Sequence, residues 1–194
     1  MLASASPARL ATLRSAGVQP EVVVSGVDES VVRDPDPASY ALALARLKAH
    51  AVRDRLHGGH DGWVLGCDSV LALDGDILGK PADAAAAVRG WQRMSGRTAV
   101  LHTGHCLVDL PSDAEVLRPV ATVVHFAALD AQEIEAYVAT GEPLSVAGGF
   151  AIDGIGGAFV SGIEGDVHNV VGVSLPVLRE MLAELDASWT DLWH

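Results

Sequence analysis

The sequence predicts a mixed α/β fold, and three observations carry that expectation. Strand-like segments alternate with segments of helical periodicity, at least two of the strand pairs are hairpins and so antiparallel, and 49% of the 194 residues are hydrophobic, enough to cover a sizeable core. No internal repeat and no long biased linker interrupts the chain, so a single domain over residues 1–194 is expected.

Taken in order, Leu2 to Ser4 reads as the tail of a short strand. Ser6-Pro7 then supplies an N-cap and a proline at the first helical position, and Gly17 stops the helix that includes Leu10 to Ala16. The β-branched run Glu21 to Ser25 predicts a strand, and the Asp- and Pro-rich stretch Gly26 to Pro37 a loop. Ser39 to Leu56 predicts a long helix with Ala41, Ala45, Ala49, Val52 and Leu56 along one side. The apolar run Trp63 to Cys67 reads as a buried strand leading into a hairpin, with Asp74-Gly75 as a two-residue turn between Ser69–Leu73 and Asp76–Gly79. Ala82 to Met94 is helical, and Ala99 to Leu110 and Glu115 to Phe126 are long strands joined through Pro111-Ser112-Asp113. Asp130-x-x-Glu133 forms a capping box for a helix that stops at Gly141. Glycines crowd Ser145 to Gly172, which predicts tight turns and close backbone approach. Ser174-Leu175-Pro176 opens a last helix to Leu185, after which the tail is expected to fray.

Arg and Lys total 13 against 25 Asp and Glu, a net charge of −12, the wrong sign for holding a nucleic-acid backbone. A phosphate-rich ligand would need a local cluster of cations, with a metal, set into an acidic exterior. Cys67 and Cys106 form neither a C-x-x-C pair nor a disulfide framework, so a reduced, cytoplasmic protein is expected. The opening residues show no leader pattern, and no stretch approaches the ~18 apolar residues of a membrane helix.

The two-residue turn sets Leu73 opposite Asp76 and, counting back, Ser69 opposite Lys80, which places Asp68, Ser69 and Lys80 at one end of the sheet. Regular pleating puts Asp68 and Lys80 on opposite faces, so cooperation between them requires the strand to bend or end near Asp68. A carboxylate ending a buried strand is either a chain-turning Asp or a solvated, paired or metal-bound functional group. Ser4-x-Ser6-Pro7-x-Arg9 offers hydroxyls and a cation at a helix start, suited either to phosphate or to plain capping by Ser6 beside a solvated Arg9. Lys48 flanks the apolar side of its helix, so it either snorkels to solvent or points into a cleft. Asp28-Glu29 provides hard oxygen ligands of the kind Mg²⁺ takes, or simply an acidic loop.

Familiar nucleotide patterns fail. Gly75-x-x-x-Gly79-Lys80-Pro81 has the wrong spacing for a P-loop and a proline where Ser or Thr is needed, and Gly154-x-Gly156-x-x-Phe159 lacks the third glycine of a dinucleotide fingerprint. His57-x-x-His60 reads as a solvent loop, and strand alternation puts His102 and His105 on opposite faces, so neither pair predicts zinc.

Taken together and in order, these segments resemble the Maf family. LASASPARLATL is similar to its Ser-x-Ser-Pro-Arg-Arg opening, VSGVDES to its Val-Asp-Glu loop, ALARLKAHA to its lysine-bearing helix, and GCDSVLALDGDILGKP to its Asp-containing strand and Gly-Lys-Pro hairpin. SGRTAVLHTGHCLV, EIEAYVATGEPLSVAGGF and IEGDVHNVVGVSLP continue the match, so the resemblance spans roughly residues 2 to 180. It implies a fold related to inosine triphosphate pyrophosphatases, with a cleft between two lobes and often a homodimer. It also implies hydrolysis of a nucleoside triphosphate between its α- and β-phosphates, with Mg²⁺ or Mn²⁺ as cofactor. Carried over by residue, Asp68 is the base that activates water, Arg9, Lys48 and Lys80 contact the polyphosphate, Ser6 and Ser69 lie in the substrate-binding segments, and Glu29 joins Asp68 at the metal. A regulator of septum formation, with hydrolysis secondary, is the rival that the resemblance brings with it; a general phosphohydrolase releasing inorganic phosphate is the other. Where one branch, for dTTP and UTP, has Arg-Arg, Asp-Thr and Gln, this chain has Ala8-Arg9, Asp68-Ser69 and Asp153; a branch for 7-methyl-GTP shares only the acidic residue. Asp153 therefore either reads a guanine-type base, as an acceptor facing N–H groups, or simply forms an Asp-Gly turn with Gly154.

Overall fold

Ser6 caps the first helix: its side chain accepts from the Arg9 N–H, Pro7 stands at the first turn, and α1 runs Pro7–Ser15. The computed structural model describes residues 1–56 and 60–193. Gly17 follows α1 at φ +84°, and the next turn of 3-10 helix is Glu29–Val31. Asp36 caps α2 (Pro37–Arg55), which buries Ala41, Ala45, Ala49 and Val52 as its pattern predicts. β1 (Trp63–Leu73) and β2 (Asp76–Leu78) form the expected hairpin, with Leu73 opposite Asp76 and Leu71 opposite Leu78. Asp74 (φ 55°) and Gly75 (φ 86°) both take the left-handed conformation that such a turn demands. Then come α3 (Ala84–Met94), β3 (Thr98–Asp109), β4 (Glu115–Phe126) and α4 (Ala131–Ala139), the last opened by the Asp130–Glu133 capping box. Short 3-10 turns through the glycine-rich stretch lead to β5 (Val160–Glu164), α5 (Val167–Val171) and α6 (Leu175–Glu184), capped by Ser174. The five strands lie in the order β2-β1-β3-β4-β5, with β1–β2 and β4–β5 antiparallel, and the fold is the mixed α/β class expected.

The chain divides into two compact units, each with its own core. The first comprises Met1–Asp68, Thr103–Val120 and Gly172–His194, the second Ser69–His102 and Ala121–Val171. In the first unit, Leu2, Leu13, Leu65, Cys67, Leu107, Leu178, Met181 and Leu182 pack as one cluster, while the alanines of α2 pack against Val64, Cys106 and Val108 as another. In the second, Trp91 is fully buried, donates from its indole N–H to the Gly149 carbonyl at 2.9 Å, and meets Phe126, Tyr137 and Phe159 edge-on.

Three expectations are corrected. Glu21 to Ser25 is no strand: only Val22 bridges to Leu2, and Val24 is exposed, so the β-branched run finds no ladder to join. β1 does not end at Asp68 but continues to Leu73. The tail does not fray after Asp186: Ser188 and Asp191 form a capping box on a 3-10 turn, Trp189–Leu192, and Trp193 bridges back to Val18. The His57-x-x-His60 pattern falls partly outside the described residues.

Candidate active site

Alternation along β1 puts Val64, Gly66 and Asp68 on one face. α2 rests on that face with almost no clearance. A Cβ at Gly66 would lie 2.2 Å from the Ala45 carbonyl oxygen, and one at Gly104 of β3 would lie 2.4 Å from that of Ala41. Both positions exclude any side chain, and the alanine stripe of α2 fits the groove they leave.

This close seat aims Lys48 at Asp68. The Lys48 ammonium donates to Asp68 Oδ1 at 2.5 Å and sits 2.7 Å from Glu29 Oε1. Its side chain is 11% exposed and that of Asp68 13%, so the lysine turns inward to a paired carboxylate and does not snorkel. Glu29 reaches it from the short 3-10 turn, whose cap is Asp28: the Asp28 side chain accepts from the Ser30 N–H at 3.0 Å, and the Ser30 side chain, with that N–H, lowers the Asp28 pKa from the ordinary Asp value. Of the acidic pair noted in the sequence, Asp28 therefore shapes the turn and Glu29 serves the cluster.

Arg9 is not solvated. Only 9% exposed, it donates from Nε to the Gly172 carbonyl at 2.7 Å and from a terminal nitrogen to Ser4 Oγ at 3.1 Å. Gly172 lies at φ +119°, and a Cβ there would come within 2.9 Å of Arg9 Nε, so the arginine's berth depends on that glycine. Ser6 is committed to capping α1, while Ser4, which the sequence offered only as a second hydroxyl, orients the guanidinium. Burial pushes the Cys67 thiol up to about 12, and that thiol feels Arg9, Asp68 and Lys48 together, which places the three charges in one neighbourhood of the first unit.

The remaining site residues belong to the second unit. Ser69 follows Asp68 on β1 and faces away from it by alternation. The expected pairing of Ser69 with Lys80 lies beyond the ladder, which stops with the Leu71–Leu78 pair because β2 ends at Leu78. Lys80 is exposed and unpaired among the described residues, on a segment fixed by the Gly148 N–H donating to the Gly79 carbonyl at 3.1 Å and by Pro81 lying against Gly149. Asp153 is exposed in a turn closed by the Gly154 N–H on the Ala151 carbonyl.

Glu142 organises the loop that follows Asp153. Its carboxylate accepts from the Tyr137 hydroxyl at 2.6 Å and from the Ile155 and Gly156 N–H groups, each at 2.9 Å. Cβ atoms at Gly154 and Gly156 would strike Glu142 and the Tyr137 hydroxyl at 2.4 and 2.3 Å, so those glycines admit the carboxylate rather than a dinucleotide. Burial pushes Glu142 upward, but the three hydrogen bonds outweigh it and hold the group below the usual Glu value, while Tyr137 is pushed up by burial and by Glu142. Nothing in the local spacing announced Glu142, since Tyr137 lies five residues back and the two N–H groups lie 13 and 14 residues on.

A mixed α/β protein whose first unit sets fixed cations beside converging carboxylates has the equipment for a phosphate-rich anion and its counter-cation. The family model described as Maf-like protein matches residues 1–185, and the chain belongs to that family. It is 57% identical over 195 residues to a nucleoside triphosphate pyrophosphatase of Salinispora tropica, covering 100% of this chain and 86% of that protein. Proteins of the same name from Streptomyces coelicolor and Nostoc punctiforme are 53% and 46% identical, each over 100% of this chain and over 93% and 97% of their own lengths.

Proposed function

We infer that this chain is a nucleoside triphosphate pyrophosphatase, a hydrolase of acid anhydrides that cuts a nucleotide between its α- and β-phosphates to give a nucleoside monophosphate and pyrophosphate and so clears the nucleotide pool. What carries the inference is that relatives similar over the whole chain share that name. A septum-formation regulator with hydrolysis secondary is not favoured, because those relatives are named for the reaction.

In this reading Asp68 is the base. Lys48 fixes its carboxylate through Oδ1, and the other oxygen takes the proton of a water aimed at the α-phosphorus. Arg9, Lys48 and Lys80 are the cations for the phosphate oxygens, with Ser6 and Ser69 in the flanking binding segments; the exposed, unpaired ammonium of Lys80 supports its part in this. Asp68 and Glu29 already converge on one cation, the Lys48 ammonium, and two carboxylate oxygens are the hard donors that Mg²⁺ or Mn²⁺ takes, so the residues fit a divalent ion. Such an ion would neutralise charge on the phosphate oxygens as the anhydride breaks. Asp153 is the proposed acceptor for a guanine-type base, its exposure leaving the carboxylate available. A cytoplasmic location and a homodimer belong to the same proposal; among the described residues no helix is long and apolar enough to cross a membrane.

A panel of nucleoside triphosphates, assayed with and without chelator and with separate detection of pyrophosphate and phosphate, tests the function. Metal-dependent pyrophosphate release is expected; chelator-insensitive turnover, or phosphate as the only inorganic product, contradicts it. The same panel run on Asp153→Gln should show the guanine-to-pyrimidine rate ratio falling, and an unchanged ratio removes Asp153 from base recognition.

A further inference from the structure

Away from Lys48, another stripe of α2 carries Arg46, His50 and Arg53, spaced four and three residues apart. It meets the buried Cys106 of β3 and Glu115, the first residue of β4. His50 Nε2 lies 2.7 Å from Glu115 Oε2, and Cys106 Sγ lies 3.9 Å from the same oxygen. The imidazole, thiol and carboxylate ligand atoms all fall within 4.8 Å of one another, the one such group of three among the described residues.

We propose that His50, Cys106 and Glu115 form a second metal site, for a thiophilic divalent cation of the zinc class, separate from the hard-oxygen pair Asp68 and Glu29. The donor set selects the ion: one sulfur and one imidazole with a single carboxylate favour zinc over magnesium, which takes oxygen ligands almost exclusively. The distances suit it after small movements. Zinc bonds of ~2.0–2.3 Å in a tetrahedron separate ligand atoms by about 3.3–3.8 Å. His50 and Glu115 therefore open by under roughly 1 Å, and the sulfur closes by a similar amount. Glu115 turns Oε2 to the cluster while Arg46 grips the carboxylate, a terminal nitrogen on Oε1 at 2.7 Å and Nε on Oε2 at 3.3 Å; the longer bond gives way when Oε2 takes the ion, and the shorter one remains to orient a one-oxygen ligand. His50 and Glu115 are about a quarter exposed, which gives the ion an entrance, and Cys106 closes the inner end. Burial holds the Cys106 thiol at about 12, so the ion must displace its proton to solvent as the metal–sulfur bond forms; the arginines Arg46 and Arg53 nearby ease that loss but oppose the cation itself.

Chelator-treated protein titrated with Co²⁺ alone is the test, because a thiolate–cobalt bond gives a near-ultraviolet charge-transfer band that an oxygen-only site cannot. One equivalent of Co²⁺ should develop the band, Zn²⁺ should abolish it, and excess Mg²⁺ should not. Cys106→Ser should lack it. His50→Ala, at a partly exposed position that spares the core, should weaken Co²⁺ binding by about tenfold or more. Asp68→Asn should keep the band. Absence of the band in the wild type, its survival in Cys106→Ser, or undiminished Co²⁺ affinity in folded His50→Ala overturns the site.

Discussion

Lys48 holds two carboxylates at once, and this defines what Asp68 can do. An aspartate 13% exposed, bonded through one oxygen and facing a helix, has a fixed direction for the other. Asp68→Asn keeps the size and removes both the proposed base and a proposed metal ligand, so turnover should fall by about 10²–10⁴-fold in steady-state assays, with the fold intact by circular dichroism. Near-normal turnover in the folded variant would remove Asp68 from the base's role. The position was legible because an acid directly after Trp63-Val64-Leu65-Gly66-Cys67 either turns the chain or is solvated, paired or metal-bound, but the partner was not: Lys48 lies 20 residues earlier on another element. Of the two readings open for Arg9, burial removes the solvated one, and the sequence could not choose between them for a related reason. Its acceptor is the Gly172 carbonyl, and no local pattern links residues 163 apart.

At the scale of elements, the seat of α2 on β1 and β3 sets the Lys48–Asp68 distance on which the proposed site depends. Gly66→Ala forces a methyl against the Ala45 carbonyl, 2.2 Å away, so the helix must shift. A destabilisation of about 1–3 kcal/mol is expected. Since an error near 1 Å can lower turnover by about 10²-fold, kcat should drop with substrate binding changed less. Urea unfolding and kinetics check both, and an alanine variant of wild-type stability and activity would show that the close seat is unimportant. Glu142 gives a pH signature in the second unit. Its folded pKa is depressed, so its contribution is complete above the ordinary Glu value of about 4.3 and is lost as pH falls through the folded value. Glu142→Gln turns an amide N–H₂ toward donors that need an acceptor, and should lower stability at pH 7 by about 1–3 kcal/mol. That gap should close as pH drops below about 4, measured by denaturant midpoints from pH 7 to 3; a pH-independent gap contradicts the role. Elements of strong periodicity or turn chemistry, α2 and the Asp74-Gly75 hairpin, were readable from sequence. Glu21 to Ser25 was not, because strand status depends on a partner, and the Trp189–Leu192 turn was missed although its Ser188-x-x-Asp191 cap is a local pattern, because the bridge that anchors it, Trp193 to Val18, is long-range.

For the whole molecule, a net charge of −12 means that an anionic substrate of the kind proposed has to be recognised locally and against the surrounding field. The ordered set of segments made the family legible from end to end, and the comparison over residues 1–185 agrees. How the two units divide the strands was not legible, since β1, β3 and β4 each pass from one unit to the other within an unbroken strand pattern. In the proposed reaction, water attacks the α-phosphorus and pyrophosphate leaves. Hydrolysis of the best nucleoside triphosphate in ¹⁸O-enriched water, read by mass spectrometry of both products, tests this directly: one ¹⁸O is expected in the nucleoside monophosphate and none in pyrophosphate, and label in the pyrophosphate instead would contradict it.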